Sequence, residues 1–177
     1  QRPVCGYVPD KNHYPATFLM ERESSCELCS ADGGTLIFRA HQWRVVRVDG
    51  AEGAAYTGFC RVIWNSHVRE MTDLSPGDRD DFMQAVYCVE AALRASVHPH
   101  KVNLASLGNL TPHLHWHVIP RYENDASFPK PIWAADPAAT QPGASLGTLG
   151  HRRTAESAQT DHECEWETAV RRALETM

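Results

Sequence analysis

The stretch His113-Leu114-His115-Trp116-His117-Val118-Ile119 places a histidine at every second position, with apolar residues between the histidines. This alternation predicts a β-strand over residues 114–119, because side chains along a strand point to opposite faces in turn. The three imidazoles then share one face of the strand at a spacing of roughly 7 Å. The apolar side chains share the other face, which we expect to pack against a helix.

The remaining strands of the predicted sheet are segments rich in β-branched and aromatic residues. They cover residues 35–39, 43–48, 59–64 and 101–107. The glycine-containing segment 50–58 is predicted to be a loop, because glycines and small residues interrupt any periodic pattern there.

One long helix is predicted between the third and fourth strands. Ser75-Pro76-Gly77-Asp78 supplies a capping residue, a proline suited to the first turn and an acid for a capping box, and Pro99 ends the helix. Its apolar face consists of Phe82, Val86, Val89, Leu93 and Val97. Strands, a long helix and further strands predict an α+β fold, with an antiparallel sheet of about five strands and this helix packed on it.

The composition changes after residue 123. Residues 124–160 are rich in Pro, Ala, Gly, Ser and Thr, and we interpret them as a loop near 128–133 followed by a flexible linker. Residues 163–176 are predicted to form a C-terminal helix. We therefore expect a domain over residues 1–123, with its core at about 26–121, and a separate C-terminal part over 124–177.

Size, charge and cysteine usage narrow the function classes. The chain has 177 residues and a formal net charge of −5, without a cluster of Lys and Arg, so a nucleic-acid polymer is not an expected partner. No apolar run reaches the roughly 18 residues of a membrane span, so no membrane partner is expected. Six scattered cysteines in a chain of this length indicate a reducing, cytoplasmic location.

The alternating histidines leave three interpretations open on the residues alone. They could be solvated imidazoles on an edge strand. They could form a metal site of the cupin type with Glu123. They could also divide catalytic work, with one histidine attacking, one binding anionic oxygens and one supporting the others.

The histidine stretch resembles the signature of the histidine triad (HIT) superfamily, in which three histidines alternate with hydrophobic residues. Its surroundings, Asn103, Gly108-Asn109 and Thr111-Pro112, agree with that resemblance. They are also similar to the related galactose-1-phosphate uridylyltransferases, which carry a Pro-His-X-His core. The resemblance covers about residues 26–121.

The resemblance implies a HIT-like sheet and catalysis by histidine. His115 would attack the α-phosphorus of a nucleotide, His117 would contact the phosphate and the leaving oxygen, and His113 would support them. The implied nucleotide-binding and phosphate-binding residues are Asn103, Asn109, Thr111 and His117. A homodimer that joins two sheets is also implied.

The implied activity is hydrolysis of a phosphoanhydride or phosphoramidate bond at the α-phosphate, for example in dinucleoside polyphosphates. The uridylyltransferases carry Gln at the third position of the motif, where this chain has His117. Two alternatives stay open: a nucleotidyl transferase, and a nucleotide-binding regulatory module with negligible turnover. The second arises because Phe59 stands where many HIT proteins have a histidine.

The pair Cys26-Glu27-Leu28-Cys29 has the spacing of a structural zinc site, although two incidental thiols would give the same pattern. Zinc-bearing HIT proteins are similar in having two cysteines, a histidine after the third strand and the first histidine of the triad. That resemblance implies Cys26, Cys29, His67 and His113 as ligands of a structural Zn²⁺, with no other cofactor.

Overall fold

The computed structural model describes residues 22–134 and 164–177. Its centre is a five-stranded sheet with the strand order β1-β2-β3-β5-β4, in which all neighbouring strands are antiparallel. The strands are β1 (Thr35–Arg39), β2 (Trp43–Arg47), β3 (Cys60–Trp64), β4 (Lys101–Ala105) and β5 (His115–Arg121). The predicted antiparallel α+β sheet is confirmed. The linker predicted to follow residue 134 lies outside the described residues.

In the described residues, four α-helices accompany the sheet: α1 (Glu27–Ser30), α2 (Gly50–Ala55), α3 (Pro76–Val97) and α4 (Glu165–Glu175). A 3₁₀ helix covers Met71–Asp73. The predicted start of the long helix is confirmed at α3, where the Ser75 hydroxyl oxygen accepts the backbone N–H of Asp78 at 3.2 Å. The helix ends at His98, which adopts the left-handed conformation with φ of 46°. None of the described helices combines the length and the apolar character that a membrane span requires.

The predicted loop over residues 50–58 is wrong for its first part, because Gly50–Ala55 forms helix α2. Two glycines made this segment look like a loop, yet each has a structural reason. Gly50 has a φ of +71°, which lets the chain turn out of β2. A Cβ at Gly53 would lie 1.8 Å from the carbonyl oxygen of Val48, so only glycine allows this close approach.

The main core lies between one face of the sheet and helices α3 and α4. Helix α3 contributes its predicted apolar face, and Leu114 and Val118 of the β5 region pack against it. Trp166, Val170 and Leu174 of α4 join the same core. The Arg47 guanidinium also donates to the Glu167 carboxylate at 2.7 Å, which ties α4 to the sheet.

A loop over residues 122–134 follows β5 and is anchored by a buried ion pair. Arg121 donates to both carboxylate oxygens of Asp125, at 2.8 and 2.9 Å, and to the Lys130 carbonyl at 2.9 Å. The exposed fractions of the Arg121 and Asp125 side chains are 2% and 4%. The backbone N–H groups of Ser127 and Phe128 donate to the same carboxylate. These bonds bring the end of the loop, at Trp133, against the histidine face of the sheet.

Candidate active site

Strand β5 separates its side chains as the alternation predicted. His115 and His117 lie on the face opposite α3, and both are buried. In the register of the sheet, Ile63 of β3 lies opposite His115 and Arg61 lies opposite His117. The sheet therefore fixes which side chain stands beside each histidine.

One ring nitrogen of His115 is committed to the backbone. Its Nδ1 lies 2.6 Å from the carbonyl oxygen of His113, and a carbonyl can only accept, so Nδ1 carries the proton. In the neutral imidazole the lone pair is then on Nε2. His115 lines the cavity on this side of the sheet, where a nucleophile would be needed.

The tautomer of His117 follows from that of His115. Their Nε2 atoms are 3.0 Å apart, and two lone pairs would repel each other at that distance. His117 therefore carries its proton on Nε2 and donates it to Nε2 of His115. The Nδ1 atom of His117 is buried and has no hydrogen-bond partner among the described residues.

Burial keeps the three triad imidazoles neutral. It lowers the pKa of His117 to about 3, helped by the nearby His115 and Arg61. It lowers the pKa of His113 to about 4. Burial also lowers the pKa of His115, against the hydrogen bond to His113, which raises it. The free-base form that a nucleophilic imidazole needs is thus the resting form at neutral pH.

A cavity of about 460 Å³ opens above His115 and His117. One wall is the loop before β5, including Asn109 and Thr111. Glu52 of α2, Arg61 and Trp133 form another part of the lining. The structure thus brings four sequence-predicted site residues together: His115, His117, Asn109 and Thr111.

Asn103 is not part of that cavity. Its side chain lies on β4 and lines a neighbouring cavity, and the side-chain Oδ1 atom accepts a hydrogen bond from the Arg121 guanidinium at 2.8 Å. The structure therefore connects Asn103 to the Arg121–Asp125 pair rather than to the triad.

A cluster of potential metal ligands lies beside the triad and includes its first member. The ligand atoms of Cys26, Cys29, His67 and His113 all lie within 4.8 Å of one another. The sulfur-to-Nδ1 distances are 3.4 Å from Cys26 to His113, 3.5 Å from Cys29 to His113 and 3.3 Å from Cys29 to His67. A tetrahedral Zn²⁺ with ordinary bond lengths separates its sulfur and nitrogen ligands by roughly 3.5 Å. The predicted Cys₂His₂ set therefore fits a zinc ion.

The surroundings of this cluster orient its ligands. The Nε2 atom of His113 donates to the Trp64 carbonyl at 2.7 Å, which leaves Nδ1 free for a metal. The buried Arg44 side chain binds the chain around Cys29: it donates to the carbonyls of Leu28 at 2.6 Å and Asp32 at 3.0 Å. These contacts hold the Cys26–Cys29 turn against β2.

Comparison with known families agrees with this geometry. The family model described as "HIT domain" matches residues 38–124, which include β2 to β5 and the whole triad. The chain carries a HIT domain. No curated protein matches the sequence significantly.

Solved structures of other histidine triad proteins share the fold of this HIT domain. A histidine triad protein from Bradyrhizobium japonicum superposes with a TM-score of 0.56 at 23% identity, covering 80% of this chain and 91% of the other. One from Sinorhizobium meliloti gives 0.53 at 24%, covering 59% and 76%. A zinc-bound histidine triad family protein from Mycobacterium smegmatis gives 0.50 at 21%, covering 86% and 94%.

Phe59, the departure from many HIT proteins, is buried beside the triad. Its ring centroid lies 5.7 Å from that of His117 and 6.4 Å from that of Trp133. Phenylalanine cannot accept a proton, but the acceptor for Nδ1 of His115 is the His113 carbonyl. The hydrogen bond that sets the His115 tautomer therefore does not depend on residue 59.

Sequence reasoning did not identify Arg61 and Glu52 as site residues of the HIT domain. The signal for Arg61 is a charged residue in an otherwise apolar strand, at a position that shares a face with the triad. Glu52 lies in the segment predicted to be a loop. The ring centroid of Trp133 lies 4.8 Å from that of His117, and its indole N–H donates to the Glu52 carboxylate at 2.9 Å.

Proposed function

We propose that this HIT protein is a nucleotide hydrolase that cleaves a bond at the α-phosphate through a nucleotidyl intermediate on His115. The observation that carries the proposal is the hydrogen bond from Nδ1 of His115 to the His113 carbonyl, which leaves a lone pair on Nε2 of a residue that lines the cavity. Without substrate, this lone pair accepts the Nε2–H of His117. A phosphoanhydride or a phosphoramidate, for example a dinucleoside polyphosphate, has the α-phosphorus that this nucleophile can attack.

In the first step, the Nε2 lone pair of His115 forms a bond to the α-phosphorus while the bond to the leaving group breaks. The electron pair of the broken bond goes to the leaving atom. The His115 imidazole then carries a positive charge, which the His113 carbonyl stabilises through the Nδ1 proton. The Nε2–H of His117, which donates to Nε2 of His115 in the absence of substrate, donates instead to a phosphoryl or leaving oxygen, and the proton stays on His117.

In the second step, water attacks the phosphorus and the nitrogen–phosphorus bond breaks. The electron pair returns to Nε2 of His115, and the proton of the attacking water goes to solvent. We favour water over a sugar phosphate as acceptor because His117 stands where the uridylyltransferases carry Gln. The products are a nucleoside monophosphate and the leaving group.

Asn109 and Thr111 are the proposed donors to the phosphate oxygens, since both line the cavity together with His115. Their loop lies directly before β5. For Asn103 we propose an indirect role, because its side chain supports Arg121 and thereby the 122–134 loop that carries Trp133.

For the Cys26, Cys29, His67 and His113 cluster we propose a structural Zn²⁺. All four positions of a tetrahedral ion would be filled by protein, so no open site is left for water or substrate. The zinc-bound relative from Mycobacterium smegmatis supports the assignment. When bound, the ion would fix the His113 ring, and with it the backbone carbonyl that sets the tautomer of His115.

We also propose a homodimer in a reducing cytoplasmic compartment. Among the described strands, β4 pairs on one side only, with β5, so its other edge can extend the sheet into a second copy. Among the described cysteines, Cys26, Cys29, Cys60 and Cys164 are free thiols, which favours a reducing compartment, whereas Cys88 is disulfide-bonded. Sedimentation at several concentrations tests the dimer.

A nucleotide-binding module with negligible turnover is the second candidate function. It is favoured by the resting hydrogen bond from His117 to the nucleophile, together with the apolar Phe59 packed on His117. A substrate has to displace that hydrogen bond before His115 can react. A protein that binds nucleotides but forms no product faster than background would support this alternative.

The test of the hydrolase is His115→Asn against the wild-type protein, incubated with dinucleoside polyphosphates and nucleoside phosphoramidates of adenosine and guanosine. We expect the wild type to release nucleoside monophosphate and the variant to lose at least about 10³-fold in rate, because the covalent route is closed. His98→Asn is the matched control, since His98 is exposed and its left-handed conformation suits asparagine. Equal rates in the wild type and His115→Asn would contradict the proposal.

A further inference from the structure

Arg61 is the one Lys or Arg side chain among the described residues that line the catalytic cavity. The same cavity contains two acids, Glu27 and Glu52. A cavity that receives a nucleotide must accommodate its negative charge, and Arg61 is the side chain of the lining that carries a permanent positive charge. Arg61 is therefore the side chain of this cavity that can balance the negative charge of a phosphate-bearing substrate.

Two hydrogen bonds position the Arg61 guanidinium, but they do not use all of its N–H donors. It donates to the Gly33 carbonyl at 3.3 Å and to the Glu52 carboxylate at 3.2 Å. Its Nε atom is buried and has no hydrogen-bond partner among the described residues. A guanidinium has five N–H donors, so this side chain retains donors for an anion while two contacts fix its place.

The register of the sheet pairs the residue that carries this charge with the third histidine of the triad. Arg61 stands opposite His117, whereas the residue opposite His115 is the apolar Ile63. His117 is the group proposed to contact the leaving oxygen. Arg61 is therefore paired with the histidine proposed to meet the leaving group and not with the one proposed to attack.

We propose that Arg61 binds the phosphate joined to the α-phosphate and so selects phosphoanhydride substrates over phosphoramidates. The inference rests on the proposed function and deepens it. When a phosphoanhydride is cleaved, the bridging oxygen keeps the electron pair and leaves as part of a phosphate anion, whose growing charge Arg61 stabilises. When a phosphoramidate is cleaved, the nitrogen keeps the electron pair of the broken bond, takes a proton from solvent and leaves as a neutral amine. A guanidinium on that side gives such a leaving group no comparable stabilisation.

Binding without turnover gives the first test. In a His115→Asn background, calorimetry measures the affinity for adenosine and guanosine 5′-monophosphates and 5′-diphosphates. We expect the diphosphate to bind about tenfold or more tightly than the monophosphate of the same base, because charge-assisted hydrogen bonds to the second phosphate are added. The preference should vanish when Arg61→Met is added and remain when Arg39→Met is added. Arg39 is an exposed arginine on β1 outside the cavity.

Turnover gives the second test. Arg61→Met should lower kcat/KM for a diadenosine polyphosphate by roughly 10²-fold. The fold-loss for an adenosine phosphoramidate should be at least tenfold smaller. Arg61→Lys, which keeps the charge but loses the planar fork, should fall between. Thermal melting of each variant separates a local effect from unfolding. If Arg61→Met has a lowered melting temperature, the role of Arg61 is judged from Arg61→Lys and from the monophosphate and diphosphate affinities of His115→Asn.

The outcomes separate this inference from the hydrolase proposal. An equal affinity for monophosphate and diphosphate in His115→Asn overturns the role of Arg61, whatever the turnover. An equal loss on both substrates in Arg61→Met overturns it as well, while the hydrolase proposal stands. A wild-type protein that hydrolyses neither substrate but keeps the Arg61-dependent preference overturns the hydrolase and retains Arg61 as the phosphate-binding group.

Discussion

The carbonyl oxygen of His113 accepts the Nδ1 proton of His115 at 2.6 Å, while the ring of His113 belongs to the Cys₂His₂ cluster. One residue thus joins a proposed structural metal to the proposed nucleophile. Its ring is held on one side by the Trp64 carbonyl and on the other by the two cysteine sulfurs. The position of its backbone carbonyl, and with it the tautomer of His115, depends on that support.

Removal of the metal is expected to affect both stability and turnover. Cys29→Ser should abolish the binding of one zinc per chain, measured by elemental analysis. It should lower the free energy of unfolding by about 4 kcal/mol when free zinc exceeds Kd about 1,000-fold. Because the His113 carbonyl loses its support, kcat should fall more than KM rises. Cys164→Ser is the control, since Cys164 is exposed and outside the cluster. Full zinc content in Cys29→Ser would contradict the ligand assignment.

Arg44 should be needed for the Cys26–Cys29 turn. Its buried guanidinium donates to three backbone carbonyls and to the Asn65 side chain. Arg44→Met removes these donors and leaves buried carbonyls unsatisfied, which should cost about 2–4 kcal/mol of unfolding free energy. Urea denaturation with and without zinc measures the effect. Arg39→Met should change stability by less than about 0.5 kcal/mol, and a similar loss in both variants would argue against a special role for Arg44.

The Arg121–Asp125 pair should make stability depend on acid pH. The Arg121 guanidinium holds the pKa of the Asp125 carboxyl well below its usual range. A lowered pKa in the folded state stabilises the fold fully above the unfolded pKa of about 3.9, and this contribution is lost as the pH falls through the folded value.

Asp125→Asn should therefore lose about 3–5 kcal/mol at pH 6, because a buried partner of Arg121 is removed. The difference from the wild type should shrink as the pH is lowered from about 4 towards 2. Chemical denaturation over this pH series tests the expectation. A difference that stays constant, or grows, at low pH would mean that the ionised carboxylate is not the stabilising form.

Trp133 should contribute to nucleotide binding as a wall of the cavity. Its ring packs on His117, and its indole N–H donates to Glu52. Trp133→Ala should weaken the binding of a nucleoside monophosphate by about 1–3 kcal/mol, as expected when an aromatic contact to a ligand is lost. Trp133→Phe keeps an aromatic ring and should lose less. Unchanged affinity in Trp133→Ala, with only a lower melting temperature, would mean that Trp133 merely anchors its loop.

The histidine strand could be predicted from the sequence because its signal is local. A strict period of two fixes which face His113, Leu114 and His115 take, whatever the rest of the fold does. The capped start of α3 at Ser75 is local in the same way. The observed bounds of the strands differ from the predicted bounds by only a few residues. Strands β4 and β5 end at Ala105 and Arg121, where their mutual pairing ends.

The partners of the histidines could not be predicted in this way. Arg61 stands beside His117 only because β3 and β5 pair in one particular register, and no local pattern encodes the pairing of distant strands. Glu52 was missed because the glycines of α2 are poor helix formers. Asn103 was expected near the phosphate from its resemblance to a family position. In the structure, its side-chain Oδ1 atom accepts a hydrogen bond from Arg121 instead.

Capture of the nucleotidyl intermediate on His115 tests the proposed mechanism most directly. The wild-type protein is mixed with a dinucleoside polyphosphate, quenched within the first turnover under alkaline denaturing conditions that preserve phosphohistidine, and analysed by peptide mass spectrometry. We expect a nucleoside monophosphoryl group on the peptide that contains His115, localised to that residue and absent from His115→Asn. Steady product release without this adduct, or an adduct on another residue, would contradict the mechanism.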